Sequence, residues 1–420
     1  MKLSPQRAKQ ADLGMSLIFV AQAFMAISWL PRIPEVIKQI GVDFTQWGLI
    51  IGISGLGSLL PLMFTHRVIA RFGSGRVIRT SAWFQVLMFC TFPFIHLGWL
   101  FFLVNFMLSF SGSFMGIAMN GQCVQLQKLL KRTILPKFHG AWSIGAAASS
   151  ALSGIFSTFL PLAIHLPLVT ITCGAVMHYA TKQGLQLSEE QHGDSHVVTP
   201  KKVPFFKSPG YLWLLMLGVF CSVYPELSIM DWGAVFGKVV LKQAPGFNTI
   251  PYTVFVTCMI LGRLSIGRLS KRWHVSQISR VAALIGFIGL GTGAFLGGYI
   301  SLTNTALALV VTSAAWAVAG LGMAPLVPSF FGAAGAVAGI TTPQALSRMA
   351  LVNTVNFMIA KILMGALAEN TNLVAAYAFP TSLLLVASLM AGVVVRKARR
   401  EDTLDNAFPA TGALTVIDEL

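Results

Sequence analysis

KQGLQLSEEQHGDSHVVTPKKVPFFK, residues 182–207, is the only long polar run inside this chain, and it stands near the middle. On either side the 420 residues are strongly apolar: 55% are hydrophobic, 10% are charged, and mean hydropathy is +0.73. Soluble domains carry roughly 25% charged residues, so this chain has too little charge to cover a water-facing surface. Its solvent must be lipid. The fold expected is an all-α membrane protein, because unpaired backbone groups in hydrocarbon cost several kcal/mol each and helices pair them internally.

A bilayer core of about 30 Å needs ~20 apolar residues of helix, so the gaps between charges act as a ruler. Intervals 13–31, 44–66, 208–225, 243–262 and 370–395 each hold one span, and 80–127, 138–181 and 281–347 are each long enough for two. The remaining segment, 345–368, is interrupted by Arg348 and Lys361, and parity decides it. Both chain ends are basic (Lys2, Arg7, Lys9; Arg396, Lys397, Arg399, Arg400), and basic ends stay cytoplasmic, which requires an even number of spans. The reading is twelve transmembrane helices in two six-helix, pseudo-symmetric bundles, 1–181 and 208–396. A cytoplasmic linker, 182–207, joins them, and a cytoplasmic tail, 397–420, follows.

With both termini cytoplasmic, 23 of the 30 basic residues fall on that side, four (Arg32, Lys38, Lys238, Lys242) lie in outer loops and three (Arg263, Arg348, Lys361) within spans. The net charge of +16 therefore reports orientation in a bacterial cytoplasmic membrane, and no nucleic-acid partner is expected. Cys90, Cys123, Cys173, Cys221 and Cys258 sit in apolar runs, with no CxxC and no ligand-spaced histidine, so neither a metal site nor a disulfide framework is indicated and no cofactor is expected. No small-residue cleavage site follows the first apolar run, which reads as a retained span.

The two halves invite a search for an internal repeat. HRVIARFG at 66–73, after the second span, and GRLSKRWH at 267–274, after the eighth, align at an offset of 201 residues, pairing Arg67 with Arg268, Arg71 with Arg272 and Phe72 with Trp273. The first copy resembles the G-x-x-x-D-R-x-G-R-R loop of the major facilitator superfamily at Arg71, Gly73 and Arg76, with Ala70 in place of the Asp and His66 in place of the first Gly. In the second copy Gly267 and Arg272 match and Lys271 stands for the Asp. The resemblance covers essentially the whole chain. It implies a cytoplasmic gate around Arg71 and Arg272, weakened here because its acid is missing. SWLPRIP at 28–34, AMNGQ at 118–122, FHGAWSIG at 138–145, PELSIMDW at 225–232, ILGRLSIGRL at 260–269 and GLGMAPLVPSFFGAAG at 320–335 resemble a fucose-permease-like bacterial branch of that superfamily. Such a likeness implies two bundles rocking around a midplane site lined mainly by spans 1, 4, 7 and 10.

Ionisable groups inside spans cost ~2.5 to 3.5 kcal/mol on insertion scales, so each needs a reason. Glu226 and Asp231 are the acids expected deep in a span. Counted from residue 209, Glu226 is expected ~25 Å along span 7, in the outer half, with Asp231 near the outer surface. Pro225 cannot donate to the Cys221 carbonyl, so a kink or break is expected there, a hinge beside a cavity. Glu226 is a proton-coupling candidate, with a structural ion pair as the alternative. His139, at the start of span 5, is a candidate proton relay or a hydrogen-bonded structural group, and Asp231 belongs with both as a possible carrier.

Arg32, shifted by 201, lands two residues from Asp231, which suggests an outer gate between them; the alternative is a guanidinium reaching for headgroups. Span 4 carries Asn105, Ser109, Gly112, Gly116 and Asn120 on one face, with Asn105, Asn120 and nearby Gln122 as cavity candidates and the glycines as packing sites. Arg263 in span 8 is expected to bind an anionic cargo or brace the basic loop. Lys361 in span 11, near Asn353 and Asn356, is expected to meet a carboxylate of cargo or of Glu226. Trp316 in span 10 is a candidate for stacking on a ring, although most span tryptophans are structural.

A proton-coupled secondary active transporter of a small solute, working as a monomer among membrane lipids, is the leading reading. A polar or sugar-like cargo is slightly favoured over efflux of amphipathic compounds. A membrane-embedded enzyme would need HExxH or several clustered carboxylates, a Walker A pattern is missing, and a sensor would usually add a soluble domain.

Overall fold

A computed structural model describes residues 5–130, 134–184, 205, 208–337 and 340–392. Most of the polar run 182–207 and all of the tail 397–420 lie outside the described residues.

The helices in chain order are α1 (Pro5–Ile27), α2 (Ile33–Ile40), α3 (Phe44–Ser54), α4 (Thr65–Phe72), α5 (Ser74–Thr91), α6 (Gly98–Leu130), α7 (Leu135–Phe156), α8 (Leu162–Gly184), α9 (Gly210–Val239), α10 (Ile250–Leu269), α11 (Val275–Gly291), α12 (Gly297–Ile300), α13 (Thr305–Met323), α14 (Leu326–Gly332), α15 (Thr342–Asn370), α16 (Leu373–Ala376) and α17 (Ala378–Met390). Short 3-10 or π turns extend several of them. Local chemistry sets the boundaries. Pro31 and Pro34 lack a backbone donor, so α1 gives way to the turn Leu30–Arg32 before α2. Gly41, at φ 66°, closes α2 in the left-handed conformation. Asp43 Oδ1 accepts from Gln46 N at 2.7 Å while Gln46 Oε1 accepts from Asp43 N at 3.2 Å, a reciprocal cap that starts α3.

These helices make twelve passes. Ten are long and apolar enough to cross a membrane. The other two are α5, which carries Arg76, Arg79 and Gln85, and α7, which carries Lys137 and a run of Gly, Ala and Ser. The chain divides into two compact units. The first holds α1 to α8 apart from Asp43–Leu49, and the second holds that segment and α9 to α17. In the first, α1 packs on α7 and α8, α5 on α6 and α8, and the turn after α3 on α6. In the second, α9 packs on α15 and α17, α11 on α13 and α17, and α10 on α13. Numbered one to six within each unit, the leading pairs of passes are the same in both: 1–5, 1–6, 3–6, 3–4 and 2–4. The offset of 201 also carries the first residue of α5, Ser74, onto the first residue of α11, Val275. The repeat read from a short arginine motif thus extends to the packing diagram of six helices.

The ruler of uncharged intervals fails at α9. The uncharged interval 208–225 covers only part of span 7, which was expected to reach the outer surface near Asp231, and the helix continues to Val239. Glu226 is therefore at its middle, and Asp231 lies eight residues before its last residue. Of the kink or break expected at Pro225, the break is corrected. The helix is continuous through the proline, which sits buried inside it. Ser228 Oγ donates to the Pro225 carbonyl at 2.7 Å, and Ser222 Oγ to that of Gly218 at the same distance, so hydroxyls supplement the backbone pattern on both sides.

Candidate functional site

The second unit gathers most of the intramembrane charge around α9. Arg263 on α10 lies 3.3 Å from Glu226 Oε2 and 3.4 Å from Oε1, straddling the carboxylate. Lys361 Nζ on α15 lies 2.8 Å from Asp231 Oδ2, an ion pair whose angles fall outside hydrogen-bond geometry. Glu226 and Asp231 are five positions apart on one helix, which turns their side chains about 140° from each other. Each acid consequently meets a base on a different neighbour. The side chains of both acids and of Lys361 are mostly enclosed, while Arg263 is 33% exposed. Two acids and two bases cancel, as an apolar interior requires of charges it holds.

Around these pairs lie groups that the sequence reading did not select. Tyr224 Oη donates to the Ala360 carbonyl at 2.7 Å, beside Lys361, and Tyr377 Oη to the Ser228 carbonyl at 3.3 Å. Both phenols are buried, and they tie α9 to α15 and to the junction of α16 and α17. Asn353, one of the expected cavity residues, is 3% exposed. Its Nδ2 donates to the Met349 carbonyl at 2.8 Å, while its Oδ1 is buried with no hydrogen-bond donor among the described residues. Asn356, on the same helix, is half-buried.

Trp316 is not a cavity residue. It is wholly buried in the core of the second unit, with ring centroids 5.5 Å from Phe236 and 5.6 Å from Tyr377. Bulk and apolar surroundings hold it there, as the alternative reading of span tryptophans anticipates. Lys361 meets Asp231 and not Glu226, and Arg263 is engaged by Glu226 and does not brace the basic loop.

In the first unit Arg32 is 2% exposed. Its two terminal nitrogens both donate to the Leu160 carbonyl at 3.0 Å, and Nη2 also reaches Glu35 Oε2 at 2.8 Å. The guanidinium thus ties the turn after α1 to the segment between α7 and α8. Within the first unit Arg32 thus engages Leu160 and Glu35, and within the second Asp231 engages Lys361. A pair missed from sequence, Lys137–Asp12 at 2.6 Å, links α7 to α1; Asp12 stood outside the first uncharged interval although α1 begins before it. Asn105 is half-buried on α6, Gln122 is buried and Asn120 is exposed, donating to the Gly116 carbonyl at 3.0 Å. His139 is exposed near the start of α7 with its ring against Phe19 at 5.7 Å, and no carboxylate lies within ion-pair distance of it among the described residues. Arg71 and Arg272 are exposed, and neither has an acidic partner among the described residues.

No family model matches the chain. It is 26% identical over 393 residues to an uncharacterized MFS-type transporter of Yersinia pestis, covering 90% of this chain and 94% of that one. An uncharacterized transporter of Sinorhizobium fredii is 24% identical over 361 residues, covering 85% and 90%. Among solved structures, the nucleoside transporter NupG superposes with a TM-score of 0.68 at 13% identity, over 93% of this chain and 98% of that one. A bacterial homolog of the human lysosomal transporter Spinster, inward-facing and unoccupied, gives 0.66 at 12%, over 96% and 99%. The fold is that of the major facilitator superfamily. The chain is a multi-pass membrane protein and a secondary transporter of a small molecule, not an enzyme.

Proposed function

We propose that the chain is a proton-coupled carrier of a small polar solute, of the fucose-permease-like branch, working by alternating access between bundles 1–181 and 208–396. The observation that carries this reading is the placement of both acids of α9 opposite bases on two different helices, α10 and α15. A carboxylate held by an arginine at 3.3 Å is a proton acceptor whose release depends on whether the arginine stays with it. Helix movement that separates Arg263 from Glu226 leaves an enclosed carboxylate that must take a proton or a cation, and this ties proton binding to conformation. Asp231 and Lys361 form the second such switch, and His139 is retained as an accessory proton group.

Asn356, Lys361 and Arg263 form the polar lining in the second bundle, with Asn105 and Asn120 in the first, while Asn353 and Gln122 are buried behind it. NupG is named as a nucleoside transporter, and a sugar- or nucleoside-like cargo agrees with amide-rich polar groups of this kind. Arg71 and Arg272 form a weakened cytoplasmic gate. The linker 182–207 and both termini lie in the cytoplasm, and the protein works as a monomer in the bacterial inner membrane.

The test is Glu226→Gln in proteoliposomes under an imposed pH gradient. The variant is expected to keep solute exchange across the membrane and to lose gradient-driven accumulation, at least tenfold. Accumulation at the wild-type level would remove Glu226 from the coupling role.

A further inference from the structure

Of the loops that follow the second pass of each unit, the transport reading uses only Arg71 and Arg272. Residues 65–80 hold Arg67, Arg71, Arg76 and Arg79, and residues 264–281 hold Arg268, Lys271, Arg272 and Arg280, with no acid in either stretch. The offset of 201 pairs three arginines, Arg67 with Arg268, Arg71 with Arg272 and Arg79 with Arg280, and it pairs Phe72 with Trp273. All eight cations except the half-buried Arg79 are exposed, and none has a carboxylate within ion-pair distance among the described residues. Large apolar side chains are exposed next to them: Leu62, Met63 and Phe72 in the first unit, Leu269 and Trp273 in the second. The Arg71 guanidinium carbon sits 5.3 Å from the centre of the Phe72 ring.

Arg67 and Arg71 are four residues apart on α4, a spacing at which like charges destabilise a helix unless an anion lies between them. Exposed aromatic and aliphatic groups beside unneutralised arginines fit a boundary with apolar chains on one side and anions on the other. A phosphodiester accepts the paired N–H groups of a guanidinium, and the acyl chains below it would cover the exposed apolar groups.

We propose that the two loops are binding sites for anionic phospholipid headgroups of the cytoplasmic leaflet. The leaflet rests on the orientation proposed above; the sites themselves do not.

The full chain, purified in detergent, is titrated with phosphatidylglycerol and separately with phosphatidylcholine, and bound lipid is counted by native mass spectrometry. Phosphatidylglycerol is expected to be retained preferentially, with retention falling as salt rises. Each basic residue near an anionic surface strengthens attachment by about fivefold, so R67Q/R71Q and R268Q/R272Q should each weaken retention by about tenfold or more. The charge-keeping variant R71K/R272K should keep most of it, and Lys238→Gln, at an exposed lysine on α9, should change nothing. Equal retention of the two lipids, wild-type retention in the fourfold Gln variant, or an equal loss in Lys238→Gln would overturn the proposal. So would displacement of phosphatidylglycerol by inorganic pyrophosphate at constant ionic strength, which would assign the loops to a soluble polyanion. Because no transport is measured, failure here leaves the carrier reading standing, and failure of proton coupling leaves the lipid sites standing.

Discussion

Asp231 and Lys361 show what an ion pair inside a membrane unit demands of its two members. Removing one charge leaves the other enclosed and unanswered, which costs about 3 kcal/mol when both side chains are mostly buried. Asp231→Asn and Lys361→Gln are each expected to lower the thermal unfolding temperature in detergent, and the double variant is expected to recover most of the loss. Losses that simply add would show that the pair carries no coupling. That Glu226, Asp231, Arg263 and Lys361 are charges held inside helical passes was legible from sequence, because each interrupts an apolar run. Their pairing was not. Which base answers which acid depends on helix neighbours, and residues 37 and 130 positions apart in the two pairs leave no trace in local spacing. Trp316 failed for the same reason: an indole reads alike whether its helix turns it toward a cavity or into the packed interior.

Among the helices, α13 lies between α10 and α11, and small residues let it approach both. A Cβ on Gly320 would stand 2.3 Å from the Phe255 carbonyl oxygen of α10. Gly320→Ala is therefore expected to force the two helices apart and cost about 1–3 kcal/mol of stability, read as a lower unfolding temperature. Gly121→Ala on α6, where a Cβ would meet nothing within 4 Å, is the control and is expected to be neutral or slightly stabilising. An unchanged unfolding temperature for Gly320→Ala would contradict the close crossing. Charge-free intervals located the passes well, since a lipid-facing helix must be apolar for most of its length. The uncharged interval 208–225 covers only the first half of α9, because the helix continues past an acid that has a partner. Pro225 does not break the helix: the loss of one backbone donor was outweighed by the packing of a long buried helix.

At the scale of the whole molecule, the two units repeat one packing scheme, the same pairs of passes in each, from sequences that share little beyond an arginine motif. The motif was visible because charges at a membrane boundary are sparse. The rest of the repeat was hidden because apolar residues replace one another freely where lipid or another helix is the neighbour. A carrier built this way draws its energy from a gradient and spends no nucleotide. The direct test begins with a thermal-shift screen of the purified protein against nucleosides, sugars, other polar metabolites and amphipathic drugs. The solute that stabilises most is then followed in sealed proteoliposomes with an imposed pH gradient and no ATP. The expected result is accumulation above the outside concentration, abolished by a protonophore. A solute that binds yet equilibrates no faster than in protein-free vesicles, with or without the gradient, would contradict it.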